Sequence, residues 1–319
     1  MNWFFYALIC VFGWGFADLF YKKGTDETDK YSQYKIAVWV GLVMGVSAFC
    51  LLPFAETTFS FGSFWENVAK YLPASLGYIV SMVIGYAGLR YLEVSVVSPV
   101  QNSSGALSAI AMAVFFVVCG KTINYSALDY IGTAIIVIGV IALAIAEQRL
   151  AAEEKTLDIK DEDKKYRYGA LALLFPVLYC VFDTIGTAAD GIILDDEVGL
   201  GLGDIDVLVI YGLTFMIAGL ICWLIMLART KKPYNPFKKS EANKGVAALC
   251  EEFGQVFYVF AMSSNPVLAA PMIASYCAVS VALSHVFLKE KLKPSQYVCI
   301  FAVVIGIILL GISEGLAEA

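Results

Sequence analysis

Along the chain, ten apolar runs alternate with short polar stretches: residues 3–21, 34–53, 73–90, 94–118, 125–146, 168–189, 207–228, 245–262, 267–288 and 295–312. Each is about as long as the 20 or so helical residues needed to cross a hydrocarbon core. No run alternates strictly with a period of two, so the pattern predicts an all-α integral membrane protein with ten transmembrane helices. Residues 54–70 interleave aromatic and polar side chains and read as an interfacial connector, with Pro73 starting the third helix.

The fourth run departs from the pattern. Its entry, Ser98-Pro99-Val100-Gln101-Asn102-Ser103-Ser104-Gly105, is polar in the middle of an apolar stretch. Within a bilayer, amides and hydroxyls beside a proline are satisfied only by protein or by a water-filled cavity. The segment therefore reads as a cavity wall. Setting Pro99 on Pro271 superposes Tyr86 on Tyr258, Val114-Phe115 on Val286-Phe287, Tyr125 on Tyr297 and Gly139 on Gly311 without a gap. That periodicity predicts two copies of one unit: a first five-helix repeat over 1–146, a charged cytoplasmic linker over 147–167 and a second five-helix repeat over 168–319. An odd number of spans per copy inserts the copies in opposite directions, as two inverted repeats with a site at their junction.

Composition narrows the function. The chain is 60% hydrophobic and only 16% charged, far outside the soluble range. The first run lacks a basic flank and a small-residue cleavage site, so it is expected to be retained as a helix. All lysines and arginines except Lys70 and Lys121 fall on one set of alternate loops. The positive-inside rule then puts both termini outside the cytoplasm of a multi-pass plasma-membrane protein. The acidic stretch 190–206 would face outward as well. The eight cysteines are scattered singly and read as packing residues, and a single histidine leaves no basis for a metal site. No nucleotide-binding motif and no cofactor motif is present, which makes gradient-driven transport the expectation and enzyme activity not.

Ionisable residues inside the spans are the candidates for function, since each carries a cost of about 2.5–3.5 kcal/mol at the bilayer centre. Glu251 and Glu252 point about 100° apart on one helix, so at least one is expected to face the cavity; pairing with loop lysines at the membrane edge is the other reading. Asp18 stands four residues before Lys22, which leaves a surface pair open. Asp183 has no such cation near it in sequence. Gln101, Asn102, Ser103 and Gln255 supply polar groups for substrate or for helix contacts. Trp14, Tyr86, Tyr258 and Tyr276, with Tyr78 and Tyr179, can build an aromatic box for a cation or a flat ring. His285 reads as structural.

Trp14-Gly15 in the first helix, the Ser98-Pro99 and Ala270-Pro271 entries, and His285-Val286-Phe287-Leu288-Lys289-Glu290-Lys291-Leu292 before a glycine-spaced last helix (Gly306, Gly311) carry a resemblance. With these motifs the chain resembles the drug/metabolite transporter superfamily, in particular its EamA-type members, over essentially its whole length. The resemblance implies ten helices in two inverted repeats. It further implies a central cavity lined mainly by the first, third, fourth, sixth, eighth and ninth helices, with the fifth and tenth peripheral. The first half departs from it, with Val117-Val118-Cys119 where the second has Lys289-Glu290-Lys291.

The expected function is a secondary transporter that moves a small polar metabolite, an amine or an organic cation by alternating access, with protons as the coupling ion. A neutral metabolite, such as a sugar, nucleoside or amino acid, is the alternative; a channel or an intramembrane enzyme is more distant. Its partners would be a small-molecule substrate, protons and the lipid bilayer, with no nucleic acid, as a monomer or homodimer.

Overall fold

A computed structural model describes residues 2–25, 29–55, 61–91, 101–157, 170–289 and 292–317, with only the backbone described at 61, 86–91, 147–148, 150–157, 170–173, 176 and 288. All regular structure among the described residues is helical. The helices are α1 (Trp3–Gly24), α2 (Ser32–Leu51), α3 (Phe61–Tyr91), α4 (Ser104–Val118), α5 (Ala127–Leu157), α6 (Ala170–Leu194), α7 (Asp204–Thr230), α8 (Ala242–Ser264), α9 (Pro266–Ala274), α10 (Tyr276–Leu288) and α11 (Pro294–Ala317). Among the described residues, nine stretches are long and apolar enough to cross a membrane, α9 and α10 together forming one of them, and α4 is a shorter tenth. The chain is a multi-pass membrane protein.

Two boundaries differ from the sequence reading. α3 begins at Phe61 and runs through Pro73, although a proline inside a helix forfeits a hydrogen bond and costs about 3 kcal/mol. Packing outweighs it here: Tyr71 and Ala74 on either side are fully buried, and Glu66 holds Lys70 at 2.8 Å one turn earlier. α6 continues past residue 189 to Leu194. Asp190, which reads in sequence as the first acid of an outward loop, is therefore inside the helix and fully buried.

The fourth and ninth apolar runs both break at a serine. Ser103 has φ −70° and ψ −15°, and Ser275 has φ −70° and ψ −5°. These two positions correspond when Pro99 is set on Pro271. Residues 92–100, Pro99 among them, lie outside the described residues, as do residues 158–167 of the predicted linker. Its first part, up to Leu157, extends α5.

The main helix pairs each join one half of the chain to the other: α1 with α8, α3 with α6, α2 with α7, α4 with α9 and α5 with α11. Exchanging the first five spans for the last five maps this set of pairs onto itself. Glycine sets the distance at the crossings, because a side chain there would meet backbone. A methyl group at Gly13 would lie 3.0 Å from the Cα of Gly254, and one at Gly77 would lie 2.7 Å from the Cα of Gly186. Such close approach of small residues is how helices associate in lipid, where no hydrophobic force drives them together. α11 is peripheral, with only 28% of its apolar window buried against 72% for the α9–α10 span.

At one end of the bundle, the turn after α4 is tied to the loop after α6. The Lys121 ammonium binds the Asp195 carboxylate, which also accepts the backbone N–H groups of Glu197 at 3.1 Å and Val198 at 3.0 Å. Burial pushes the Asp195 carboxyl up, but Lys121 and the two N–H groups together outweigh it and hold the group below the usual carboxylate range.

Candidate functional site

Four helices present stripes of side chains at helical spacing to a common cavity of about 170 Å³. α1 contributes Trp14, Asp18 and Tyr21, and α3 contributes Tyr78, Met82 and Gly85. α6 contributes Tyr179, Asp183 and Thr187, and α8 contributes Glu251, Gln255 and Tyr258. The bends at Ser103 and Ser275 complete the wall, with Gln101, Asn102, Ser104 and Gly105 on one side and Ile273, Ala274 and Tyr276 on the other. Gly105 is needed there: a methyl group on it would lie 2.9 Å from the Ala270 carbonyl oxygen.

Three carboxyl groups line the cavity, each held by a hydroxyl from the opposite half of the chain. Asp18 accepts from Ser280. Asp183 accepts from Ser104 at 2.6 Å and from Ser81 at 3.5 Å. Glu251 accepts from Tyr21. No lysine, arginine or histidine lines the cavity among the described residues. Hydroxyl donors orient these oxygens but supply no countercharge, so a site with three acids and no base favours cationic contents or protons.

The rest of the wall is aromatic. Trp14 stacks on Tyr258 with ring centroids 5.3 Å apart and an interplanar angle of 20°, and Tyr276 meets Trp14 edge-on at 5.8 Å. Tyr78 meets Tyr258 edge-on at 6.0 Å and shares a hydrogen bond with its hydroxyl. The Trp14 indole N–H donates to the Glu251 carbonyl oxygen at 3.2 Å, which fixes the ring and turns its face to the cavity contacts. Gln255 is 3% exposed, and its Nε2 has no protein hydrogen-bond partner among the described residues.

Of the residues singled out in the sequence, Trp14, Asp18, Gln101, Asn102, Asp183, Glu251, Gln255, Tyr258 and Tyr276 meet in this one cavity. Ser103 points behind it, with its Oγ 3.4 Å from the Cys180 Sγ. Glu252 is half-buried beside Ser47 of α2, away from the lining. The side chain of Tyr86 lies outside the described residues. Tyr21, Thr187 and Tyr211 line the cavity without having been singled out, because a lone tyrosine or threonine in an apolar run carries no mark of the side it faces. Lys22 donates to Ser284 at 3.3 Å, while Asp18, four residues earlier, turns to Ser280. His285 contacts Tyr297 at 3.2 Å, away from the cavity. Among the described residues no cluster of histidine, cysteine or acidic groups is arranged to hold a metal.

Comparison with known proteins agrees with this architecture. Residues 198–312 match the EamA-like transporter family model. The whole chain is similar to a solved structure titled "Crystal structure of protein", at 12% identity and a TM-score of 0.65, covering 99% of each chain; at that identity the likeness concerns the fold alone. No curated protein matches the chain in sequence. The likeness to the EamA-like transporter family, part of the drug/metabolite transporter superfamily, is thus carried by residues 198–312.

Proposed function

We propose that this protein is a proton-coupled secondary transporter of small amines or organic cations, working by alternating access between two inverted five-helix repeats. The EamA-like family that residues 198–312 match implies a membrane transporter of small molecules, and neither that likeness nor the helical fold favours an enzyme. The observation that carries the cation reading is the lining itself: Asp18, Asp183 and Glu251 face a cavity with no basic side chain, beside the stacked rings of Trp14 and Tyr258. An aromatic face attracts a cation by about 0.5–2 kcal/mol, more as it is desolvated. The set of helix pairs, unchanged when the halves are exchanged, supports the repeats. The distribution of lysine and arginine supports placing both termini outside the cytoplasm.

A neutral metabolite is favoured by one observation, the buried Gln255 amide, whose Nε2 has no protein acceptor among the described residues. Thermal stability of the detergent-purified protein against amines, sugars, nucleosides and amino acids, each at two pH values, separates the two. A ligand at 100 times its Kd stabilises by about 2.7 kcal/mol, so millimolar binders register. Stabilisation by cations that fades at low pH supports the proposal. Stabilisation by neutral solutes alone refutes it. Glu251→Gln then tells contact from coupling: binding lost means Glu251 touches the cation, and binding kept with its pH dependence gone means Glu251 only carries a proton.

A further inference from the structure

A further carboxyl stands behind the cavity wall, on the same stripe of α6 that carries Asp183 and Thr187. Asp190 is fully buried, seven residues and about 10 Å beyond Asp183 along the helix. Its Oδ1 accepts from the Tyr71 hydroxyl at 2.7 Å, and its Oδ2 has no protein hydrogen-bond partner among the described residues. The titratable groups facing it are Tyr71 and Tyr78 from α3, Tyr258 from α8, and Asp204 and, through Tyr71, Tyr211 from α7. α4 and α9 place Met112 and Pro266 against the next residue, Gly191. None of these groups is a cation. Tyr258 and Tyr78 are joined by a hydrogen bond and also line the cavity, and Tyr258 faces Asp190 as well.

A buried carboxylate with hydroxyl donors and no countercharge is far less favourable than the same group protonated. Water reaching it reverses that balance. We propose that Asp190 is the proton-carrying group of the transport cycle, protonated while the Tyr71 side of the cavity is closed and ionised when that side opens to water. The step is one proton transfer: the O–H bond at Oδ2 breaks, the electron pair stays on oxygen, and the proton passes to water. The assignment rests on the proton-coupled reading above. It places the coupling proton on a group distinct from the three carboxyls of the cavity.

The test is backbone amide exchange of the full chain in lipid nanodiscs over residues 66–78 and 186–195, corrected for intrinsic pH dependence, from pH 5.5 to 8.5. Protection is expected to fall at least tenfold as the pH rises. Asp190→Asn, unable to ionise, is expected to stay protected throughout, and Asp183→Asn to keep the wild-type midpoint. Tyr71→Phe removes one donor to the carboxylate and is expected to raise the midpoint by about one pH unit, which keeps the test decisive if Asp190→Asn does not fold. A wild-type pH response in Asp190→Asn, an unmoved midpoint in Tyr71→Phe, or no pH response in the wild type overturns the proposal. Thermal stabilisation by tetraethylammonium separates the two readings. Its loss on Asp190→Asn alone puts Asp190 in the substrate site and overturns the assignment. Its absence from the wild type, with the pH response intact, supports Asp190 and overturns the cation reading.

Discussion

Replacing Gly77 by alanine tests whether backbone contact at the crossings holds the two halves together. The added methyl would lie 2.7 Å from Gly186 Cα, 2.8 Å from Gly186 N and 3.0 Å from the Phe182 carbonyl oxygen. All three are backbone atoms and cannot rotate away. Ordinary contact needs about 3.5–4.0 Å, so α3 and α6 must part by about 1 Å around the crossing. A gap of that size forfeits a quarter to a half of each neighbouring dispersion contact, and overpacking of this kind costs about 1–3 kcal/mol. Against three immovable backbone atoms the upper end of that range applies, and alanine returns about 1 kcal/mol of helix propensity, leaving a net loss of about 2 kcal/mol. At about 2–4 °C per kcal/mol in domains of 150–250 residues, the unfolding midpoint in detergent, followed by intrinsic fluorescence, is expected to drop by about 4–8 °C. Gly62→Ala is the control, because nothing lies within 4 Å of its added methyl; its midpoint should hold or rise. Gly77→Ala with Gly186→Ala should cost less than the sum of the two, since the second methyl enters space already opened. A Gly77→Ala protein as stable as the wild type would show that the crossing yields easily and that this reasoning is wrong.

Two further outcomes follow from side-chain contacts. The folded carboxyl of Asp195 lies below its unfolded value of about 3.9, so its contribution is present above that pH and is lost as the pH falls through the lower folded value. The thermal midpoint should therefore decline below about pH 4, and less steeply in Asp195→Asn; equal slopes would count against the Lys121 pairing. Tyr21→Phe removes the hydroxyl that donates to the buried Glu251 carboxyl and should cost about 1–3 kcal/mol, read as a lower unfolding midpoint at neutral pH. No loss would mean that water replaces the hydroxyl freely.

Much of this architecture can be read from residue order, because the bilayer imposes a length on every span and penalises each polar residue within one. The apolar runs follow from that length, and the choice of Asp18, Asp183 and Glu251 as candidates follows from that penalty. What residue order withholds is rotation. Glu251 and Glu252 are equally acidic neighbours, and only the contacts of α8 with α1 and α2 decide that Glu251 meets the cavity and Glu252 meets Ser47. Asp190 was hidden for a related reason. Glycines and acids on both sides of it read as loop, while the helix that buries it is stabilised by Tyr71, 119 residues away. Pro73 misleads by the same route, since local propensity favours a helix start and long-range packing carries the helix through.

The pairing of every first-half helix with a second-half partner also sets a timetable for synthesis. Tyr21 and Glu251 are separated by 230 residues, and Trp3, whose indole N–H donates to Glu314, waits for a residue 311 positions later. At about 5–20 residues per second, α1 spends roughly 10–50 s in or beside the membrane before α8 exists. Through that interval Asp18 and the glycine face of α1 have no native partner. The nascent first half is thus an unfinished surface, and it needs water, an insertion chaperone or its neighbours to shelter those polar groups. A chain that stops after α5 would keep that surface permanently and mark itself for degradation.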